Sequence, residues 1–400
     1  MSADYTFYEF FSGGGMARLG LGPHWRCLFA NDWCKKKAAA YRVNFGNTSH
    51  FSSADVRKIS ITDLPGKPDL VWGSFPCQDL SLAGAGAGLE GERSGVFWPF
   101  LRLINGLNRK GRGPSILVLE NVVGALTSHD GLDFLAIVKA LSQGGFRFGA
   151  LVINSEYFLP QSRPRLFIVA ISEDIKIPDN LLSSGPMAPW HTSSLRQAYA
   201  RIPARIRESW LWWNLPVPAP RQSELADLLE PDNSINLNWH HPAETRKLLS
   251  LMSPLNLDKV RVAKNKKSRV VGCIYKRTRS ENGVKVQRAE VRFDGLSGCL
   301  RTPGGGSSRQ TIIVVNGDFV RSRLLSAREA ARLMGLPDSY MLPNKYNDAY
   351  HLAGDGVAVP VVSWLEFHLF KKLMAGRMKT TVEIDTILRT TNKAGMAVNA

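Results

Sequence analysis

Phe10-Phe11-Ser12-Gly13-Gly14-Gly15-Met16 decides how this chain folds. It follows an apolar, aromatic run over 5–11 that reads as a buried strand, and it leads into a helix beginning at Met16. Glycines between a strand and a helix let the backbone turn tightly and approach a ligand at the helix N-terminus. Arg18 holds the last position of a would-be G-x-G-x-x-G, so the loop alone leaves its ligand open. Working outward, the same texture repeats. Strands are expected at 28–31, 70–72, 116–119, 151–154 and 166–171, with a helix over 34–45 between the first two of these. Strands alternating with helices predict an α/β fold, a mostly parallel sheet with helices on both faces.

Side chains with chemical potential fall at the ends of these strands. Asn31-Asp32-Trp33 follows the second strand, where an acid can accept hydrogen bonds from ribose hydroxyls. Asp55-Val56 ends a further segment and is a candidate for an adenine amino group. A ligand with a nucleoside half is therefore expected, either a dinucleotide or S-adenosylmethionine. Phe75-Pro76-Cys77-Gln78 places a cysteine past the 70–72 strand, and Glu120 follows the 116–119 strand. A carboxyl group so placed suits acid work. Gln161-Ser162-Arg163-Pro164-Arg165 precedes the 166–171 strand. If that strand runs antiparallel to the core, its start reaches the same edge as Cys77 and Glu120. Arg163 and Arg165 are then expected to diverge, one facing the site and one bracing the loop.

Texture and charge change after residue 172. Residues 178–220 are proline-rich and carry Trp190, Trp210, Trp212 and Trp213, with 210–213 read as core rather than as a base-stacking platform. The chain has 51 Lys and Arg against 34 Asp and Glu, a formal +17. Residues 259–292 hold +10 of that, with valines and Tyr275 interleaved as in short strands. Such an excess favours a polyanionic partner, nucleic acid first. The α/β texture returns near Arg301. The organisation expected is thus one domain from 1–171 and 301–375, a basic insertion at 172–300, and a mobile tail at 376–400. Five cysteines argue against a disulfide framework. No apolar run approaches the length of a membrane span, residues 1–10 do not read as a signal peptide, and no metal-ligand set is evident.

The motifs, taken in order, resemble the DNA (cytosine-5) methyltransferases of bacterial restriction–modification systems. The resemblance runs from about Phe7 to Leu369 outside the insertion. It rests on Phe11-Ser-Gly-Gly-Gly, Asn31-Asp-Trp, Asp55-Val56, Phe75-Pro-Cys-Gln, Glu120-Asn-Val and Gln161-Ser-Arg-Pro-Arg165. Arg301-Thr-Pro-Gly-Gly, the block from Arg328 to Asp338, and Gly354-Asp-Gly-Val357 complete it. The last block usually has Asn where Asp355 stands.

The resemblance implies a Rossmann-like methyltransferase domain with an inserted target-recognition domain, S-adenosyl-L-methionine as cofactor, and double-stranded DNA as substrate. It implies catalytic roles for Cys77, Glu120, Arg163 and Arg165, with Cys77 adding to C6 of a flipped-out cytosine. Cofactor contacts are expected from Phe11, Gly13, Gly15, Asp32, Trp33, Asp55, Val56, Pro76, Asp355 and Val357. DNA contacts are expected from Gln78, Ser81, Lys264, Lys266, Lys267, Arg269, Arg277, Arg279, Arg288 and Arg301. Residues 83–95 resemble the family's closing loop. A monomer in the bacterial cytoplasm is expected, with a restriction endonuclease sharing its site. Three rivals stand beside this reading. An RNA methyltransferase on the same fold would carry a Cys-Phe-Thr element, which is missing. A silent homologue would lack Cys77 or Glu120. A nicotinamide oxidoreductase would have no use for Pro-Cys-Gln.

Overall fold

A computed structural model describes residues 4–46, 49–76, 94–235, 237–281, 283–301 and 309–376. Its large sheet contains β1 (Tyr5–Phe10), β2 (Trp25–Asn31), β3 (Phe51–Ser52), β4 (Leu70–Gly73), β5 (Ile116–Val122), β6 (Phe146–Asn154) and β7 (Pro164–Ser172). The strand order is β3-β2-β1-β4-β5-β7-β6, with β7 antiparallel to both neighbours. The chain leaves β1 toward β2 on one side and later returns to β4 on the other. The carboxyl ends of β1 and β4 therefore flank the crevice where ligands bind in such sheets.

The central strands are mostly apolar on both faces because both are covered. Ile116 and Val118 of β5 face one core, Leu117 and Leu119 the other. The first core packs α1 (Met16–Leu21) and α2 (Lys35–Phe45); the second packs α3 (Phe97–Arg109) and α4 (Leu132–Gln143). In α3, Phe97, Phe100, Leu101, Ile104 and Leu107 recur at helical spacing and are all buried.

The expected insertion at 172–300 divides differently. Residues up to about 215 belong with the large sheet. They include the short β8 (Leu182–Ser183) and β9 (Trp212–Trp213), α5 (Ser193–Ala200) and α6 (Ala204–Arg207). The amide of Phe148 donates to Ser209 O at 2.8 Å, and that of Leu211 donates to Phe148 O at 2.7 Å. This segment thereby occupies the free edge of β6, which unpaired backbone groups would otherwise expose. Trp190, Trp210 and Trp213 are buried in the two cores, as the core reading expects.

The boundary at 301 also moves. A second sheet, in the order β11-β10-β12-β13, is built from β10 (Arg269–Glu281), β11 (Val284–Arg292), β12 (Thr311–Asn316) and β13 (Phe319–Leu324). β12, expected in the large domain, pairs antiparallel with β10 instead. A short apolar run is a buried strand in either sheet, and its pattern cannot tell which. α7 (Pro242–Ser250) and α8 (Pro254–Asn265) cover one face of this sheet around Ile274, Ala289, Val291, Ile313 and Val315.

After β13 come α9 (Ala327–Arg332), α10 (Tyr346–Asp355) and α11 (Val359–Leu365). Ser326 and Glu329 form a capping box on α9. α11 crosses α1, with the Ser363 hydroxyl donating to Gly20 O at 3.0 Å; a Cβ on Gly20 would collide with Val362. Among the described residues no helix is long and apolar enough to cross a membrane.

Candidate active site

At the end of β1 the backbone reverses through Phe11 (φ 57°), Gly13 (φ 56°) and Gly15 (φ 76°) into α1. Gly15 has no substitute, because a Cβ there would meet the Phe45 ring as well as the left-handed strain. The Gly13 amide donates to Asp32 Oδ2 and the Cys34 amide to Asp32 Oδ1, both at 2.8 Å. Asp32, just past β2, is thus buried and fixed against the loop. Burial raises its carboxyl above the usual range, against the pull of the Lys37 charge and the two amides. The Asn31 amide donates to Ser52 O and Ala54 O, bringing the next segment alongside. There Asp55 caps a short turn by accepting from Arg57 N, and Val56 is buried. Trp33 stands exposed at the rim. Val357 is buried, and Asp355 pairs with Lys37 at 2.8 Å. Lys37 was not anticipated. A lysine within Lys35-Lys36-Lys37 carries no signal that a carboxylate far along the chain will meet it.

The chemical end forms between β4, β5 and β7. β5 runs beyond its expected end to Val122, so Glu120 lies within the strand, opposite Phe167. Arg165 lies opposite Val122, diagonal to Glu120 on the same face, and its Nε is 3.3 Å from Glu120 Oε1. Asn121 donates from Nδ2 to Phe75 O at 3.2 Å, tying the loop after β4 to this pair. Cys77 follows Pro76 directly. Cys77, Gln78, Ser81 and nearly all of the 83–95 loop lie outside the described residues, as does the tail from residue 377.

The divergence of Arg163 and Arg165 is present, but its cause is not alternation, since residues two apart in a strand share a face. β7 starts at Pro164, leaving Arg163 outside it. Arg163 is buried and donates to Leu300 O (3.1 Å), Gly354 O (2.8 Å) and Gly356 O (2.7 Å). In this position it braces the loop from inside. It also donates to Cys299 Sγ at 3.4 Å. Burial pushes the Cys299 thiol up, but the charges of Arg163, Arg165 and Arg301 outweigh it and hold the thiol below its usual value. Neither Cys299 nor the bracing by Gln161, which donates to Leu333 O at 2.6 Å, was singled out by spacing.

The basic residues do not form one patch. Lys264 ends α8, 3.7 Å from Asp318, while Lys266 and Lys267 follow it exposed and Arg269 pairs with Asp232. Arg277, Arg279 and Arg288 stand toward the other end of β10, about 30 Å away at strand rise. Arg301 is exposed at the junction.

The model of C-5 cytosine-specific DNA methylases matches residues 5–371. This chain belongs to that family. As a DNA (cytosine-5) methyltransferase, it uses S-adenosyl-L-methionine. It is 25% identical to the Type II methyltransferase M.HhaI of Haemophilus parahaemolyticus over 370 residues, 92% of this chain and 94% of that one. It is 28% identical to M.NgoBI of Neisseria gonorrhoeae over 362 residues, 90% of each. Among solved structures, the methyltransferase fold matches that of S. pombe Dnmt2 with a TM-score of 0.57 at 16% identity, covering 90% of this chain and 96% of that one. A putative DNA modification methyltransferase from an E. coli prophage matches with a TM-score of 0.53 at 17% identity, covering 92% and 99%.

The crevice of this methyltransferase fits its cofactor. The Ser12 hydroxyl is buried without a hydrogen-bond partner among the described residues. A Cβ on Gly13 would meet nothing within 4 Å, so open space lies before the loop, beside the buried Asp32.

Proposed function

We propose that Cys77, Glu120 and Arg165 carry the methyl transfer, and that the second sheet with its helices presents the DNA target. Bound S-adenosyl-L-methionine supplies an electrophilic methyl group. Ser12, Gly13, Asp32, Trp33, Asp55 and Val56 would hold it, with Asp355 and Val357 at the far side. Cytosine C5 is a poor nucleophile inside an aromatic ring. Addition of the Cys77 thiolate to C6 breaks that aromaticity and makes C5 enamine-like. Glu120 donates a hydrogen bond to N3, stabilising the charge of the adduct. Arg165 orients Glu120 and clamps the base carbonyl. Once C5 carries the methyl group, loss of its proton and elimination of Cys77 restore the ring. The target base must leave the duplex for any of this to happen.

The observation that carries the reading is the diagonal Glu120–Arg165 pair, with the Asn121–Phe75 hydrogen bond holding Phe75, two residues before Cys77 in sequence, beside it. The large unit would comprise the first sheet, the 172–215 cover and the helices after β13. We further propose a monomer in a bacterial cytoplasm, whose modified sites protect DNA from an endonuclease of the same specificity. Relatives named as Type II methyltransferases, matched over 90% or more of their length, support the modification role.

The test is bisulfite sequencing of plasmid DNA from a methylation-free bacterial host expressing the chain. Wild type is expected to protect cytosines in one short context. Cys77→Ala is expected to lose methyl transfer while retaining DNA binding in a gel-shift assay. Full activity of that variant would remove Cys77 from its role. Methylated total RNA with unmethylated plasmid would replace the DNA assignment.

A further inference from the structure

Beyond Ile274, β10 pairs with β11 alone, so the two strands form a ribbon that stands clear of β12. A two-stranded ribbon fits the DNA major groove. Its two faces have different neighbours. Ile274, Ala289 and Val291 lie on the face covered by α7 and α8. The opposite face starts at Cys273 and Arg292. Cys273 reaches Gln310 and packs into the core that contains Ile153, Leu159 and Phe167 of the large sheet and its connections. This second face therefore looks toward the large sheet. Further along it come Tyr275, Arg277 and Arg279, with Glu290 and Arg288 across from them.

Glu290 is the hub of that face. It accepts from the Tyr275 hydroxyl and from the Arg279 guanidinium, whose Nε lies at 3.0 Å. Arg277 Cζ sits over the Tyr275 ring, 4.6 Å from its centroid, and its Nε is 3.9 Å from Glu290. Partial burial opposes ionisation of Glu290, but the Tyr275 and Arg279 hydrogen bonds and the Arg277 charge hold its carboxyl below the usual range. A surface meant only for phosphates gains nothing from a carboxylate at its centre, because each phosphate would be repelled by it. Base edges differ. Cytosine N4 donates, and guanine O6 and N7 accept a guanidinium fork.

We propose that Glu290 is a specificity-determining residue, selecting one G·C pair of the recognised sequence by accepting from cytosine N4 while Arg277 forks to the guanine. Tyr275 and Arg279 are positioning residues that hold the pair of side chains in place. The inference rests on the DNA methyltransferase reading of the site.

The experiment is methylation of a randomised plasmid library by wild type, Glu290→Gln and Arg277→Lys, read by bisulfite sequencing. Wild type is expected to require G·C at one position of its context. Both variants are expected to lose about 10- to 100-fold of discrimination at that position alone. Arg277→Lys keeps the charge, so the salt dependence of binding should not change with it. Should Glu290→Gln prove insoluble, Arg277→Lys alone decides. An unchanged context with uniformly slower methylation overturns the proposal and leaves the enzyme assignment standing. A wild type that methylates no cytosine in the library overturns both.

Discussion

Glu9 lies on β1 directly beneath the glycine loop, buried, with the Arg18 amide donating to its Oε1 at 3.4 Å and no partner for Oε2 among the described residues. Burial pushes its carboxyl from 4.5 to about 8, against the nearby Arg18 charge and with some help from Asp32. The folded protein therefore prefers the protonated form. Stability from that preference is complete below pH 4.5 and disappears as pH climbs through about 8. Glu9→Gln mimics the protonated acid. It should match wild type in urea midpoint at pH 4, and at pH 9 it should be the more stable by about 5 kcal/mol. Parallel pH profiles for the two proteins would refute this. A lone carboxylate in an aromatic strand gives no hint of such a position, since nothing local says what covers it. Asp32 and Glu120 were legible because strand ends in α/β sheets are where ligands meet the fold. Their partners were less so. Arg165 reaches Glu120 only because β7 is antiparallel and its register puts Arg165 beside Val122. Lys37 meets Asp355 only through the docking of α10 on α2.

Elements carry ties that motifs reveal only in part. The Ser326–Glu329 capping box could be read from spacing, yet Glu329 does more than cap. It takes both ends of the Arg323 guanidinium at 2.7 Å and the Glu230 amide at 2.8 Å, with Arg323 and Glu329 fully buried. The pair fastens β13 of the small sheet to α9. Removing one partner strands a charge in an apolar interior, so Glu329→Gln should cost about 3–5 kcal/mol in urea unfolding. A loss under about 1 kcal/mol would mean that water reaches Arg323. The same elements explain the misplaced boundary. β12 and β13 follow Arg301 in sequence, and the motif at Arg301 belongs to the large unit's pattern. Their sheet was settled by pairing with β10, which lies far back in the chain. Pairing partners at long separation are what a local pattern lacks. The 172–215 segment was assigned outward for the same reason. Proline and tryptophan richness signals irregular chain, not the strand edge it covers.

Across the molecule, +10 of the formal +17 falls within residues 259–292 and is divided between the two ends of β10. Changing Lys264, Lys266, Lys267 and Arg269 to glutamine should lower the slope of log binding constant against log salt by about one unit per lost phosphate contact. An unchanged slope would place that end of the sheet away from DNA and leave phosphate binding to other surfaces. Composition favoured a polyanionic partner but not which side meets it, because charge is counted without direction. The crossing of α11 over α1 has a consequence for how the protein comes into being. The helix that anchors the glycine loop rests on Val362 and Ser363, and the loop itself is held by the Tyr340 hydroxyl donating to Gly14 O at 2.7 Å. While the chain is still emerging from the ribosome, its first strands and helices wait without their covering. The cofactor crevice closes only when nearly the whole sequence has been synthesised, so a nascent or truncated chain has no competent site with which to mark its host's DNA.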